Sequence, residues 1–162
     1  MSKKIRIGLG HDVHALASGL KLTLGGVEIP YEKGLKGWSD ADVLIHALMD
    51  ALLGAAALGD IGTHFPPGDP RYEGISSLKL LAEVKRLLDD GHWLVANVDM
   101  IILAEAPKLK DYMPLMVKNI ASILNIPSSD VSVKAGTNEK MGFIGRGEGI
   151  SAQAVALIEK TE

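Results

Sequence analysis

The chain has 162 residues, 47% of them apolar and 23% charged, with a net charge of −3; this is one globular domain with enough apolar residues for its own core. The small net charge leaves no global pull toward nucleic acid or an anionic membrane, so a bound anion has to be met by local cations and backbone N–H groups. With no cysteine, disulfides and thiolate metal sites are excluded and a zinc ion is restricted to histidine and carboxylate ligands.

In chain order, residues 4–14 and 20–29 alternate as strands, and Ala17-Ser18-Gly19 between them suits a hairpin turn. Residues 39–58 predict a helix, with Ser39 and Asp42 in capping-box spacing at its start and Gly59 at its stop. The Pro/Gly-rich stretch 60–74 has no pattern of its own and reads as a loop long enough to suggest function. Ser76 or Ser77 caps a second helix to about residue 90, and a strand follows over 92–104. A third helix covers roughly 111–125, with Pro114 tolerable in its first turn. Residues 130–136 read as a strand, 137–149 as a glycine-rich loop and 150–160 as a last strand, although the alanines there also suit a helix. No repeat, linker or low-complexity segment divides residues 1–162. No apolar stretch approaches the ~20 residues of a membrane span, and Met1 leads directly into the first strand pattern, which points to a cytoplasmic chain without a signal peptide.

The first strand runs into Gly10-His11-Asp12-Val13-His14. Side chains two apart on a strand share a face, so Asp12 and His14 project together while His11 points the other way. On the first helix Asp42, His46 and Asp50 recur every four residues on one face, beside an apolar stripe of Val43, Ala47, Leu48, Ala51, Leu52 and Ala55. His46 at the edge of that stripe can reach a neighbouring strand. Asp12, His14 and His46 would then form a three-ligand site with an open fourth position, as catalytic zinc requires. Asp42 or Asp50 would orient an imidazole from behind. The same spacing also allows two separately satisfied histidines and solvated carboxylates. His64 and His92 read as ordinary loop histidines.

A second constellation spans residues 133–149. Its glycines at 136, 142, 145, 147 and 149 let backbone N–H groups approach a ligand, and Lys134, Lys140 and Arg146 supply cations. Such a loop favours phosphate, and Glu139 within it can hold a hard divalent ion bridging phosphate oxygens. A solvated, bulged hairpin with scattered charges fits the same residues.

Taken together, GHDVH (10–14), LGGVEIPYEKGL (24–35), SDADVLIHALMDALLGAAALGDIGTHFP (39–66), NVDMIILAEAPKL (97–109) and VKAGTNEKMGFIGRGEGI (133–150) resemble the successive motifs of the 2-C-methyl-D-erythritol 2,4-cyclodiphosphate synthase family, over about residues 5–158. The resemblance implies an α+β fold: a single domain with a mixed four- to five-stranded sheet covered by helices, assembled as a homotrimer with active sites between subunits. It implies conversion of the 2-phosphate of 4-diphosphocytidyl-2-C-methyl-D-erythritol into a cyclic diphosphate with release of CMP, a step in non-mevalonate isoprenoid synthesis. Position by position, it makes Asp12, His14 and His46 zinc ligands and Glu139 the ligand of a second divalent ion, Mg2+ or Mn2+. Asp12, His14, Trp38 and Ser39 would also contact substrate. Asp60, Ile61, Gly62, Phe65 and Asp69 would belong to the loop that binds the methylerythritol. The segment from Ala104 through Pro107, Lys108 and Leu109 to Lys110 would form the cytosine pocket, and Gly136, Thr137 and Asn138 would line the phosphates. Thr137 would stabilise the transition state. Phe143 and Arg146 would line a central trimer cavity in which some members bind an isoprenoid diphosphate. No nucleic-acid or membrane partner is implied. Trp38 departs from the family's histidine at that position; its single indole N–H, just before a helix N-terminus, is expected to donate to a phosphate oxygen in its place. Pro67, Gly136 and Asn138 are further departures. A non-catalytic binder on the same scaffold and an unrelated zinc phosphoesterase are the rival readings.

Overall fold

The alternation that opens the chain is realised as one long strand, β1 (Lys3–Ser18), in the computed structural model, which describes residues 3–161. The other elements in chain order are β2 (Leu22–Leu24), β3 (Val27–Ile29), β4 (Lys33–Leu35), α1 (Val43–Ala55), α2 (Ile61–His64), α3 (Ser77–Asp90), β5 (Leu94–Leu103), α4 (Met113–Leu124), β6 (Val131–Gly136), α5 (Gly142–Gly145) and β7 (Gly149–Thr161). The main sheet has five strands in the order β4-β1-β7-β5-β6. β1 and β7 pair antiparallel over thirteen positions, from Lys3 opposite Thr161 to Ala15 opposite Gly149. Only β5 and β6 are parallel, and the chain joins them through α4, the crossover a parallel pair requires. The mixed sheet expected from the sequence is therefore present, and 150–160 is a strand rather than a helix.

Helix α1 lies on the sheet at an unusually close approach. Gly8 and Gly10 face it from β1, and a Cβ added at either would fall inside the contact radius of the Ala51 or Ala47 carbonyl oxygen. Ala152, Ala154 and Ala156 continue the small-residue floor on β7, each at most 1% exposed. The backbone contact cannot be relieved by turning a side chain. Gly10→Ala is therefore expected to cost about 3 kcal/mol, seen as a melting temperature lower by roughly 6–12 °C. Calorimetry that returned the wild-type Tm would show that α1 can lift without cost.

Several boundaries differ from the sequence expectation, each for a local reason. Residues 20–29 form two short strands, β2 and β3, paired with each other and turned at Gly25-Gly26, whose φ values of 59° and 71° are those of a type I′ hairpin. The partner of β1 on that side is β4, with Leu16 opposite Leu35, which the sequence pattern did not suggest. Helix α1 is capped by Asp42 and not by Ser39, because Ala41 sits in the left-handed region at φ 56° and breaks the helical path. It ends at Ala55, before Gly59. The stretch 60–74 holds the single turn α2 and a 3-10 turn at Pro70–Tyr72, and the glycine-rich stretch holds α5. Helix α1 is also buried around nearly its whole circumference rather than along one stripe.

Among the described residues no helix covers the opposite face of the sheet. Ile5, Ile7, Leu9 and Val13 of β1 and Val155 of β7 are exposed there, Ile7 and Leu9 at 71%.

Candidate metal centre and substrate cavity

The extension of β1 beyond Gly10 carries Asp12 and His14 out over the N-terminal half of α1, where His46 points back at them. His14 Nε2 and His46 Nδ1 each lie 2.9 Å from Asp12 Oδ2, and the two nitrogens are 3.2 Å apart. Among the described residues this is the one group of three metal-ligating side chains whose donor atoms lie within 4.8 Å of one another.

The surroundings decide which way these donors face. His14 Nδ1 is 2.6 Å from the Lys36 carbonyl oxygen. A carbonyl only accepts, so Nδ1 carries the proton and the Nε2 lone pair is left facing the cluster. On His46 the outward nitrogen is Nε2, between Ser77 Oγ at 3.0 Å and Ser39 Oγ at 3.1 Å, which leaves Nδ1 toward Asp12. Two imidazole nitrogens and a carboxylate converging in this way fit zinc's borderline donor preference, with room for a fourth ligand. The triad is also electrostatically paired. Burial acts to raise the Asp12 carboxyl, but His14 and His46, which donate to it when their rings are protonated, prevail and hold it well below the usual carboxylate range. Burial acts to lower His14, and the Asp12 contact prevails and raises it.

The orienting groups are not those expected from the helix spacing. Asp42 is fully buried and accepts from the N–H groups of Gly25, Gly26 and Ile45. Asp50 accepts from Ile61 N at 2.8 Å and so anchors the start of α2. The expected roles for Asp42 and Asp50 fall instead to the Lys36 carbonyl and the two serines. Ser77 was legible only as a helix cap, and its neighbour Asp40 carried no signal.

A cavity of about 210 Å³ opens beside the triad, walled by Trp38, Ser39, Ile61, Gly62, Phe65 and Tyr72. Three of the expected substrate-loop residues, Ile61, Gly62 and Phe65, thus gather at the cluster. Asp60 caps α2, accepting from Thr63 N at 2.9 Å, and Asp69 binds Arg71, with Nη2 at 2.6 Å. Trp38 Nε1 donates to the Asp69 carbonyl at 2.9 Å, so in this structure its one donor is engaged within the protein.

A second cavity of about 210 Å³ lies between the end of β5 and β6, lined by Ala104, Pro107, Lys108, Leu109, Gly136 and Thr137. Lys110 is exposed beyond it. Thr137 Oγ1 and Glu139 Oε1 are 3.4 Å apart at its rim, and the Asn138 N–H reaches Glu105. The two cavities share no lining residue. Two of the cations expected for phosphate are paired within the chain, Lys134 with Asp99 at 2.6 Å and Arg146 with Glu148 at 2.8 Å. Phe143 is exposed near Arg146, while His11 faces away from the triad and His64 donates to the Leu58 carbonyl, as befits the loop role expected of it.

Comparison with known proteins places this geometry among relatives. The YgbB family matches residues 5–159. The chain is 58% identical over 156 residues to the 2-C-methyl-D-erythritol 2,4-cyclodiphosphate synthase of Dehalococcoides mccartyi strain 195, covering 96% of this chain and 99% of that one. Its fold superposes on the bifunctional IspDF of Campylobacter jejuni with a TM-score of 0.95 at 40% identity, covering 99% of this chain and 44% of that one. On Plasmodium falciparum IspF in complex with CDP the TM-score is 0.86 at 34% identity, with both chains covered completely.

Proposed function

The chain belongs to the YgbB family, and from that membership we propose how its residues perform the family's cyclisation. The reaction converts 4-diphosphocytidyl-2-C-methyl-D-erythritol 2-phosphate into 2-C-methyl-D-erythritol 2,4-cyclodiphosphate and CMP. An oxygen of the 2-phosphate forms a bond to the β-phosphorus, the bond from that phosphorus to the oxygen bridging it to the α-phosphate breaks, and CMP departs with the electron pair. The nucleophile is already an anion, so no general base is needed and none is evident. What the protein has to supply is alignment and relief of charge on the equatorial oxygens.

The observation that carries this reading is the convergence of Asp12, His14 and His46 beside a cavity walled by the substrate-loop residues. Those three residues would hold zinc, which when bound supplies Lewis acidity toward a phosphate oxygen. Glu139 offers one exposed carboxylate beside Thr137 that would hold a second divalent ion, Mg2+ or Mn2+, which when bound would offset phosphate charge. Ser39 and the backbone of Ile61 and Gly62 orient the erythritol end, with Asp60 and Asp69 shaping the loop around it. Ala104 to Lys110 receives the cytidine end, and Gly136, Thr137 and Asn138 line the phosphates between. The Thr137 hydroxyl donates to the transferring phosphoryl group. Because the two cavities are separate within one chain, a single substrate joins them when copies of the chain meet, and the exposed apolar sheet face is the surface available for that contact. We therefore assign a homotrimer, with Phe143 and Arg146 toward its axis, where an isoprenoid diphosphate would bind. Light scattering should give three chains per particle at micromolar concentration; a monomer with full turnover would overturn the shared site. A charged, water-borne substrate also goes with a cytoplasmic location.

Incubating the CDP-linked substrate with the enzyme, with and without a chelator, tests the assignment. Cyclic diphosphate and CMP are expected, and are expected to disappear with chelator. Binding without product would leave a non-catalytic binder, and hydrolysed phosphate would mean a water-using phosphoesterase.

Trp38 serves this reaction as a wall whose N–H holds the 60–74 segment through Asp69, reinforced by the Gly74 N–H on the Trp38 carbonyl at 2.8 Å. Trp38→Phe is thus expected to raise KM several-fold with kcat within about threefold, since one neutral hydrogen bond contributes about 1 kcal/mol. A kcat lowered more than tenfold at unchanged KM would instead mean that the indole turns to donate to phosphate in the transition state.

A further inference from the structure

We propose that Asp40 and Ser77 are positioning residues that fix the proton of His46 on Nε2 and so present Nδ1 to the metal. The proposal rests on the zinc reading of Asp12, His14 and His46. Ser77 opens α3 and is fully buried, with its Oγ between two partners, Asp40 Oδ1 and His46 Nε2. The Asp40 carboxylate receives the Ser77 N–H on Oδ2 at 3.0 Å and the Asp42 N–H on Oδ1 at 3.2 Å. Both of its oxygens thus face donors, and a carboxylate so placed accepts from the Ser77 hydroxyl as well. The single hydroxyl proton of Ser77 is committed to Asp40, and only its lone pairs remain for His46. Nε2 therefore carries the ring proton, held there by the relay against the Asp12 carboxylate 2.9 Å from Nδ1, and the Nδ1 lone pair faces Asp12 and His14.

Ser39 by itself leaves this choice open. Its Oγ also touches His46 Nε2 and accepts the Ala41 N–H at 3.3 Å, but a hydroxyl without a fixed acceptor can donate or accept. Asp40 removes the ambiguity through a partner thirty-seven residues away in sequence. His14 is locked directly by a backbone carbonyl and His46 by this two-residue relay, so the two rings offer opposite nitrogens, Nε2 and Nδ1, to one point.

Asp40→Asn tests the relay because it reverses its polarity. With its N–H2 in the place of Oδ1 the asparagine gives up the Asp42 N–H and donates to Ser77 Oγ, the hydroxyl turns to donate to His46 Nε2, and the ring proton moves to Nδ1, where it blocks the metal. Nitrogen NMR of histidine-labelled, metal-free protein at alkaline pH should show His46 protonated on Nε2 in the wild type and on Nδ1 in Asp40→Asn. Zinc titration against a chromophoric chelator should show a Kd weakened about 10- to 100-fold in the variant. A wild-type ring protonated on Nδ1 would overturn the proposal. So would a variant that binds zinc normally, or one whose zinc binding weakens with the tautomer unchanged, since Asp40 would then act by packing alone. If the variant does not fold, the wild-type spectrum still decides. A wild type that takes up no zinc would defeat the zinc reading, whereas the tautomer is measured without metal and fails separately.

Discussion

His46→Ala is expected to lose its metal and its turnover together while keeping its fold. Two ligands, Asp12 and His14, remain on β1, too few to retain zinc against water. With the Lewis acid gone, kcat/KM should fall at least about 10³-fold, equivalent to about 4 kcal/mol of transition-state stabilisation. The fold survives because alanine is the better helix former and the vacated space opens onto the cavity beside the triad, where water can reach Ser39 and Ser77. The stability loss should stay near 1–2 kcal/mol. Metal analysis of the dialysed variant together with phosphorus NMR of the reaction provides the check. Full zinc occupancy with normal turnover would remove His46 from the site.

The largest effect on stability is expected at Asp42, which no solvent reaches. Its carboxylate caps α1 through Ile45 N and also holds the β2–β3 turn through Gly25 N at 3.0 Å and Gly26 N at 2.7 Å. Asp42→Ala leaves three donors without an acceptor and detaches the hairpin from the helix, at a cost of about 3–5 kcal/mol. Denaturant unfolding should show this, and a loss below 1 kcal/mol would mean that water replaces the carboxylate. The group also carries a pH signature. Burial pushes the Asp42 carboxyl up to about 6, against the N–H donors that favour its charged form. A folded-state value above the unfolded one means that the folded chain binds the extra proton. The contribution is complete below the unfolded value near 3.8 and is lost as pH rises through 6. Between pH 7 and pH 5 the wild type should therefore gain about 1 kcal/mol relative to Asp42→Asn, a difference in which the other titrating groups cancel. A difference that falls on acidification would reverse the assignment.

The same residue marks where sequence reading stopped. Asp42 was legible as part of a helix start, but the cap was placed at Ser39, because nothing local reveals that Ala41 adopts a left-handed conformation. The Gly25-Gly26 pair was a usable turn signal inside 20–29, and the alternation around it hid the hairpin. Gly8 and Gly10 looked like ordinary strand glycines until α1 was seen to rest on them.

Legible in the residue order were the properties that repeat with the period of an element. Spacing of two on β1 put Asp12 and His14 on one face, spacing of four on α1 put His46 on one face with Asp42 and Asp50, and the order of motifs identified the family. Tertiary structure alone decided which nitrogen each histidine presents, where the Trp38 N–H goes, and how the two cavities are divided along the chain. Those outcomes depend on single hydrogen bonds between residues far apart in sequence, Lys36 with His14, Ser77 with His46, Asp69 with Trp38. A proton's position is set by whichever acceptor packing brings within about 3 Å, and no residue periodicity encodes that distance.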